Sequence, residues 1–459
     1  DLLKRLSVFQ GGSQRAAIEQ VTGAKLNLIS ALVDKSLLSR NNSGRYDTHR
    51  LLRQYALEKL QKTPARTQEA FDRHCFYYTA FLQQREAGLR GLNQKETLAE
   101  IAREIENIRA AWRWAIAHGH LQAIEQGMDS LWHFYASYGW FQEGLEMFGR
   151  ALEIAPRLEG EQDHRRKPVA LGQLMAYLGW FFLRQGLYEQ AEDLLAQSIQ
   201  SFESLNDRYR LAMPLNFLGV VKAELDKFDQ AQQLLRESIE IYRNHQDNWR
   251  LAWTMSYLAY SLSGLPEHQT ETKRLLQESL GLYQTIGNKQ GLGFVLNTLG
   301  YVAFRAGELD KAQQHLEQSL ALRREVGFPR GIAVSLANLG HVTAALGEVQ
   351  TSRLYYQDSL KLAATINAVP LALSALTGLV ACQIANNQAD CAEELLNLVL
   401  SHPASNHETS SRARRLLAEL NSTTPPAGQE PNLGSSASFA VAVNKQFDIL
   451  VAELLADYS

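Results

Sequence analysis

Apolar residues along most of this chain recur three and four positions apart, the spacing that lays one stripe along a helix. From about residue 168 to 402 the stripe itself repeats. A Leu followed by a small or apolar residue recurs at Leu178-Gly179, Leu218-Gly219, Leu258-Ala259, Leu299-Gly300, Leu339-Gly340 and Leu379-Val380, with spacings of 40, 40, 41, 40 and 40. A second marker, Ser198, Ser238, Ser279, Ser319, Ser359 and Val399, keeps spacings of 40, 41, 40, 40 and 40. The two registers together put the one additional residue in the turn at 263–268 of the third unit. Each unit predicts two amphipathic helices. Met175, Leu215, Met255, Leu296, Leu336 and Leu376 lie four residues before the Gly position, on the same face as the Leu. A turn residue follows at Gly186, Asp226, Gly307 or Gly347, and Ala191, Ala231, Ala312, Ser352 or Ala392 sits early in the second helix. Small residues at these two places let paired helices approach where a larger side chain would collide.

This pattern resembles the tetratricopeptide repeat, which carries Leu and Gly at positions 7 and 8 and Ala at 20. The unit here is longer than the family's, and the added residues extend the helices and the link between units. The expected fold is all-α, a right-handed tetratricopeptide-repeat superhelix over 167–421, with about six units and a capping helix at 407–421. A degenerate repeat and connector is expected over 121–166, with Gly139 at its turn, Gly144 at the small position and Ala151 in the Ser register. Residues 422–438 are rich in Pro, Gly and Ser and read as a flexible linker. Periodicity returns over 439–459 as an amphipathic helix with Phe439, Val443, Phe447, Leu450, Val451 and Leu454, a docking element in cis or in trans or a tail ordered by packing.

Residues 1–62 predict a different unit. An apolar helix end (Leu2, Leu3, Leu6, Val8, Phe9) stops at Gly11-Gly12, Ser13 is placed to cap a second helix over 14–21, and a third helix runs over 26–34. Two short strand-like runs flank Asn41-Asn42-Ser43-Gly44, a hairpin signature, before a helix over 49–60. Three helices and a hairpin predict a winged helix. The strings LLKRLSVFQGG, ISALVDKSLLSR and RYDTHRLLRQYALEKL resemble the winged-helix domain of STAND NTPases, the signal-transduction ATPases that include AfsR/MalT-like bacterial regulators. EIENIRAAWRWAIAHG at 104–119 resembles the helical arm, here 63–120, that follows this domain in the bacterial members. The resemblance implies that His49 contacts the nucleotide of an upstream nucleotide-binding domain and latches a closed ADP state. Thr48 and Arg50 depart from the Met-His-Asp of the plant proteins, so only the histidine's role carries over; capping of the last helix is the alternative. ADP or ATP with Mg belongs to that implied full-length protein and no cofactor to this chain. The first residue, Asp1, leads straight into helix-forming sequence, and the chain is expected to be a piece of a longer protein.

Composition sharpens this in two places. The 459 residues carry a net charge of −3, but residues 1–62 carry eleven Lys or Arg against five Asp or Glu. Only that segment has the charge to hold a polyanion. Its third helix, with Lys25, Asp34 and mostly apolar side chains between, has little to read base edges, so DNA binding through this region is not expected. Three cysteines and no long apolar run suit a cytoplasmic protein without a membrane span. No G-x-x-x-x-G-K-[ST] loop occurs, Gly291-Leu292-Gly293 falls inside a repeat helix, and no metal-ligand spacing is found, so this chain is expected to be no enzyme. Cys382 and Cys391 read as buried packing thiols, and His118 and His120 as charge partners of a helix end.

The first helix of each tetratricopeptide unit lines the concave face. Counting the Gly as position 8, inward positions give ligand or partner candidates Trp180, Arg184, Asn216, Trp253, Tyr260, Phe294, Asn297, Tyr301, Arg305 and His341, with Leu183, Met213, Glu224 and Phe304 beside them. Trp, Tyr and Arg dominate binding hot spots, though aromatics here also suit packing between units. The expected function is a sensor and autoinhibitory region: an inducer protein, peptide or small molecule binds the concave face, and the full-length protein oligomerises on activation. The alternatives are a free-standing tetratricopeptide scaffold and a DNA-binding winged-helix regulator with a repeat sensor.

Overall fold

The hydroxyls of the repeating serines show what the period is for. Ser238, Ser279, Ser319 and Ser359 are fully buried. Each donates to a carbonyl on the first helix of its own unit, at Ala212, Ala252, Gly293 and Ala333, over 2.8, 2.7, 2.6 and 2.8 Å. The Gly position is as strict. A Cβ at Gly219 would lie 2.7 Å from the Leu235 side chain and one at Gly300 2.6 Å from that of Leu316. The second helix therefore presses a leucine onto bare backbone of the first, and the serine pins the two in register.

The structure, a computed structural model, describes residues 1–42, 44–154, 166–263, 265–386, 391–423, Phe447 and Val451. It divides into two compact units, 1–134 with 147–174 and 135–146 with 175–459. The division runs through the helix pair at 121–154, where the sequence suggested one degenerate repeat.

The first unit opens with α1 (Leu2–Leu6), α2 (Arg15–Thr22), α3 (Leu26–Asp34), β1 (Ser39–Arg40), β2 (Tyr46–Asp47) and α4 (Arg50–Gln61). The strands pair antiparallel, Ser39 opposite Asp47 and Arg40 opposite Tyr46. Ser13 does not cap α2, which starts from Gln14 without a side-chain cap. It bridges to the hairpin instead, exchanging two backbone hydrogen bonds with Tyr46 at 2.8 and 2.9 Å. Gly12, at φ +75°, makes this possible, because a Cβ there would stand 2.9 Å from the Tyr46 carbonyl. The arm follows as α5 (Pro64–Gln83), α6 (Glu86–Arg90), α7 (Gln94–Arg103) and α8 (Ile105–His118). Buried Glu104 and Asn107 bolt the arm to the hairpin. Glu104 accepts from Arg45, from the Tyr78 hydroxyl at 3.0 Å and from the Asn107 amide at 3.0 Å. Asn107 also donates to the Gly12 carbonyl at 2.8 Å and accepts from the Gln10 backbone at 2.7 Å.

Next come α9 (Leu121–Tyr138) and α10 (Phe141–Ile154). Six helix pairs follow: α11 (Arg166–Gln185) with α12 (Tyr188–Ser204), α13 (Arg208–Glu224) with α14 (Phe228–Asn244), α15 (Asn248–Leu262) with α16 (Gln269–Ile286), α17 (Lys289–Arg305) with α18 (Leu309–Val326), α19 (Pro329–Ala345) with α20 (Val349–Thr365), and α21 (Val369–Ala385) with α22 (Ala392–Ser401). The last helix is α23 (His407–Thr423). Leu376, Leu396, Ala413 and Leu416 belong to one core at the end of this stack, and Phe447 and Val451 are buried in it. The Phe447 ring meets His402 edge-on at 5.3 Å. The rest of the expected linker and C-terminal helix lies outside the described residues. Cys382 is buried as expected, whereas Cys391, at the N-cap of α22, is exposed. His120 pairs with Asp72 on α5 at 2.7 Å rather than serving only its own helix end.

Candidate ligand-binding groove

The first helices of the repeat pairs set their inward positions in one row. Along that row the aromatic rings form a chain: Phe141 to Trp180 at 5.8 Å, Trp180 to Phe217 at 6.4 Å, Phe217 to Trp253 at 5.5 Å, Trp253 to Tyr257 at 5.8 Å and Tyr257 to Phe294 at 4.9 Å. Trp180 is 5% exposed and so packs between units. Trp253 and Phe294 are half-buried. Arg184, 6% exposed, lies over the Trp180 ring at 4.9 Å and donates to the Tyr257 hydroxyl at 2.6 Å.

The two asparagines turn inward to the protein. Asn216 donates to Thr254 at 2.6 Å, while its buried Oδ1 has no partner. Asn297 Oδ1 accepts from Arg323, Ser335 and Asn338 at 3.2, 3.3 and 3.2 Å. Arg323 is 2% exposed and occupies a position where the preceding units hold Phe202, Tyr242 and Tyr283, all buried. Burial, and then the charge of Arg330, pull its pKa down to about 9.

The other candidates meet α23. Tyr260 and Tyr301, 5.3 Å apart, both donate to the Glu408 carboxylate at 3.2 Å. Glu408 raises the Tyr260 pKa first and burial second; for Tyr301 burial leads. The Tyr356 hydroxyl lies 2.5 Å from His341 Nδ1, and Arg412 reaches both, donating to Tyr356 at 3.0 Å. Burial, then Arg412, hold the His341 pKa well below its usual value, so this ring is neutral. At the start of α23, Asn406 donates to Glu224 at 2.8 Å and His407 faces Asp226 at 3.3 Å. Ala404 sits against Gly186, where a Cβ would stand 2.4 Å from it. Thus α23, expected from sequence as a cap, touches residues of the second to fifth repeat pairs with its polar face and buries Ala413 and Leu416 in the core of the sixth, while Ala404 just before it packs on the first. Arg305 is exposed beside Tyr301. In the first unit His49 is exposed at the N-cap of α4, its Nδ1 accepting from Leu51 at 3.4 Å.

Among the described residues no cluster of three metal-type side chains occurs, and no helix is long and apolar enough to cross a membrane. The family model for the tetratricopeptide repeat matches residues 172–244 and 291–365. Both segments are tetratricopeptide repeats. Proteins named as HTH-type transcriptional regulators from Mycobacterium bovis and Mycobacterium tuberculosis are 33% identical over 162 residues, 33% of this chain. The match spans only 18% of those relatives' own length. A solved STAND protein with a tetratricopeptide repeat sensor, from Pyrococcus horikoshii, is similar over 100% of this chain and 65% of its own, with a TM-score of 0.51 and 16% identity. That likeness shows the fold. A Rap protein complexed with Competence and Sporulation Factor aligns over 74% of this chain and 100% of its own, at a TM-score of 0.44 and 14% identity.

Tyr257, Arg323, Arg330, Glu408 and Arg412 were missed as site residues by counting inward positions. One signal was present: Arg323 interrupts a register of buried aromatics. Glu408 and Arg412 lie beyond the repeats and carry no periodic signal.

Proposed function

We propose that the chain is the sensor and autoinhibitory region of a STAND-type signal-transduction ATPase. The observation that carries this is α23 lying on the inward face of the repeats through hydrogen bonds of Glu408, Asn406 and Arg412. Polar contacts of this sort, at the start of α23, can be exchanged for those of a ligand while Ala413 and Leu416 stay in the core. An inducer, whether protein, peptide or small molecule, competes for the groove and shifts a closed population to an open one. The fold shared with a STAND protein that has a repeat sensor supports the assignment.

In the first unit, α1–α4 with the hairpin serve as the winged helix against an upstream nucleotide-binding domain. Leu26 and Leu28 on α3 and Leu51 and Tyr55 on α4 are exposed, which suits a protein partner. His49, exposed at the N-cap of α4, would contact the nucleotide, and ADP or ATP with Mg would be held by the upstream domain. On activation the full-length protein oligomerises in the cytoplasm. A second reading, a transcriptional regulator using this region as its sensor, is favoured by the names of the mycobacterial relatives.

The test is made in the full-length protein. Glu408→Ala weakens the hold on α23 and raises basal nucleotide exchange, and His49→Ala speeds ADP release. Unchanged ADP release in both variants rejects the sensor-and-latch reading.

A further inference from the structure

Three arginines bring charge into the repeat array with no carboxylate at ion-pair distance among the described residues. Arg184 and Arg323 are more than nine-tenths buried. The partners of Arg184 are two rings and a hydroxyl, and those of Arg323 are an amide oxygen, the Gly331 carbonyl at 2.6 Å and the Ser335 hydroxyl at 2.8 Å. Arg330, at the start of α19, makes no hydrogen bond or ion pair among the described residues. The Nε of all three is sealed from solvent and unpartnered. Burial and then the charge of Arg184 lower the Arg330 pKa to about 10. Among the described residues Glu224 is the carboxylate whose charge acts on Arg330, and it also accepts from the Asn406 amide at 2.8 Å.

Buried charge of one sign is costly unless an opposite charge arrives. A guanidinium fork suits planar or tetrahedral oxyanions, and a hydroxyl already held by one arginine adds a donor. We propose that Arg184 and Arg330, with the Tyr257 hydroxyl, form an oxyanion-binding site that takes a carboxylate or phosphate group of the ligand. Arg323 strengthens the positive field behind it. The proposal rests on reading the groove as a ligand site, and it adds the ligand's chemical class: an anion, not a sugar or a cationic segment.

The test is thermal unfolding of the intact chain in sodium phosphate and, separately, sodium acetate, with sodium chloride holding ionic strength constant. Wild type gains at least about 3 °C, saturably, in one of the two anions, by preferential binding to the folded state. Arg330→Gln removes that gain, and Arg184→Gln gives the same result should the first variant fail to fold. A gain in phosphate alone assigns a phosphate ligand; a gain in acetate, a carboxylate. A flat wild-type response to both, or an equal gain in a folded variant, overturns the site. The sensor reading fails separately: an intact anion response with unchanged ADP release in both Glu408→Ala and His49→Ala keeps the oxyanion site and removes that reading.

Discussion

Removing the hydroxyls of Tyr260 and Tyr301 isolates the hold on α23. The double variant Tyr260→Phe, Tyr301→Phe keeps both rings, which lie 5.3 Å apart, so aromatic packing is preserved. What is lost is two donors to one carboxylate, each at 3.2 Å. Hydrogen bonds to charged groups contribute about 1.5–3 kcal/mol when short and buried. These are long for an O–H donor and partly exposed, so about 1 kcal/mol each is the working figure. A total of about 2 kcal/mol raises the open population of α23 roughly 30-fold. The other anchors, Arg412 on Tyr356 and Ala413 and Leu416 in the core, keep the chain folded.

Hydrogen exchange by mass spectrometry reads this directly. Peptides from 405–423 exchange about 10- to 30-fold faster, while peptides from α17 to α20 keep their wild-type protection. Unchanged exchange at α23 would show that the tyrosines do not hold it. An equal rise throughout the fourth and fifth units would show that the hydroxyls stabilise the array itself.

Ser238→Ala removes the hydroxyl that joins α14 to the Ala212 carbonyl, and unfolding in urea should show a loss of about 1–2 kcal/mol, with Ser→Ala at an exposed site such as Ser411 as the control. Glu104→Ala leaves Arg45, Tyr78 and Asn107 without their common acceptor; a loss of about 3–5 kcal/mol in the first unit is expected from chemical denaturation. His74 is buried, and burial lowers its pKa from 6.5 to about 4 despite a bond to Asn107. The unfolded chain therefore binds the proton first. Stability is full above pH 6.5, falls as pH drops toward 4, and loses on the order of 3 kcal/mol by then. His74→Gln should flatten that slope in pH-dependent melts.

The repeat helices were legible because their period is imposed locally. Gly179, Gly219 and Gly300 each meet a leucine sixteen residues on, and Ser238, Ser279, Ser319 and Ser359 each reach a carbonyl 26 or 27 residues back. Such constraints leave marks at fixed spacing. The groove's contents were legible only in part. Inward positions follow from helical period, but whether Trp180 faces solvent or the next unit depends on the size of Phe141 and Phe217 beside it. The placement of α23 depends on closure of the stack, which brings Ala404 onto Gly186, 218 positions away in the chain. Nothing in the amphipathic pattern of 407–421 distinguishes a helix that ends a stack from one that also crosses its face. Glu104 and Asn107 were legible within the arm's string as residues, yet not as a buried bolt, because their partners Gly12, Arg45 and Tyr78 come from three other segments.

Glu224 joins the two halves of the groove. Its carboxylate accepts from Asn406, whose own Oδ1 takes the Thr409 backbone N–H at 2.9 Å in the first turn of α23. The same carboxylate feels Arg184 and Arg330, whose charges draw its pKa down against the larger upward push of burial, and it feels Glu408, which pushes it up. A ligand anion at the two arginines would therefore compete with Glu224 for positive charge. Glu224 would then lose part of what keeps it ionised, and with it the charge-assisted bond to Asn406. On that proposal, release of the first turn of α23 and binding of an anion would be linked through one side chain. That is the differential contact a ligand needs to shift a population, since a group that interacts equally with both states shifts nothing.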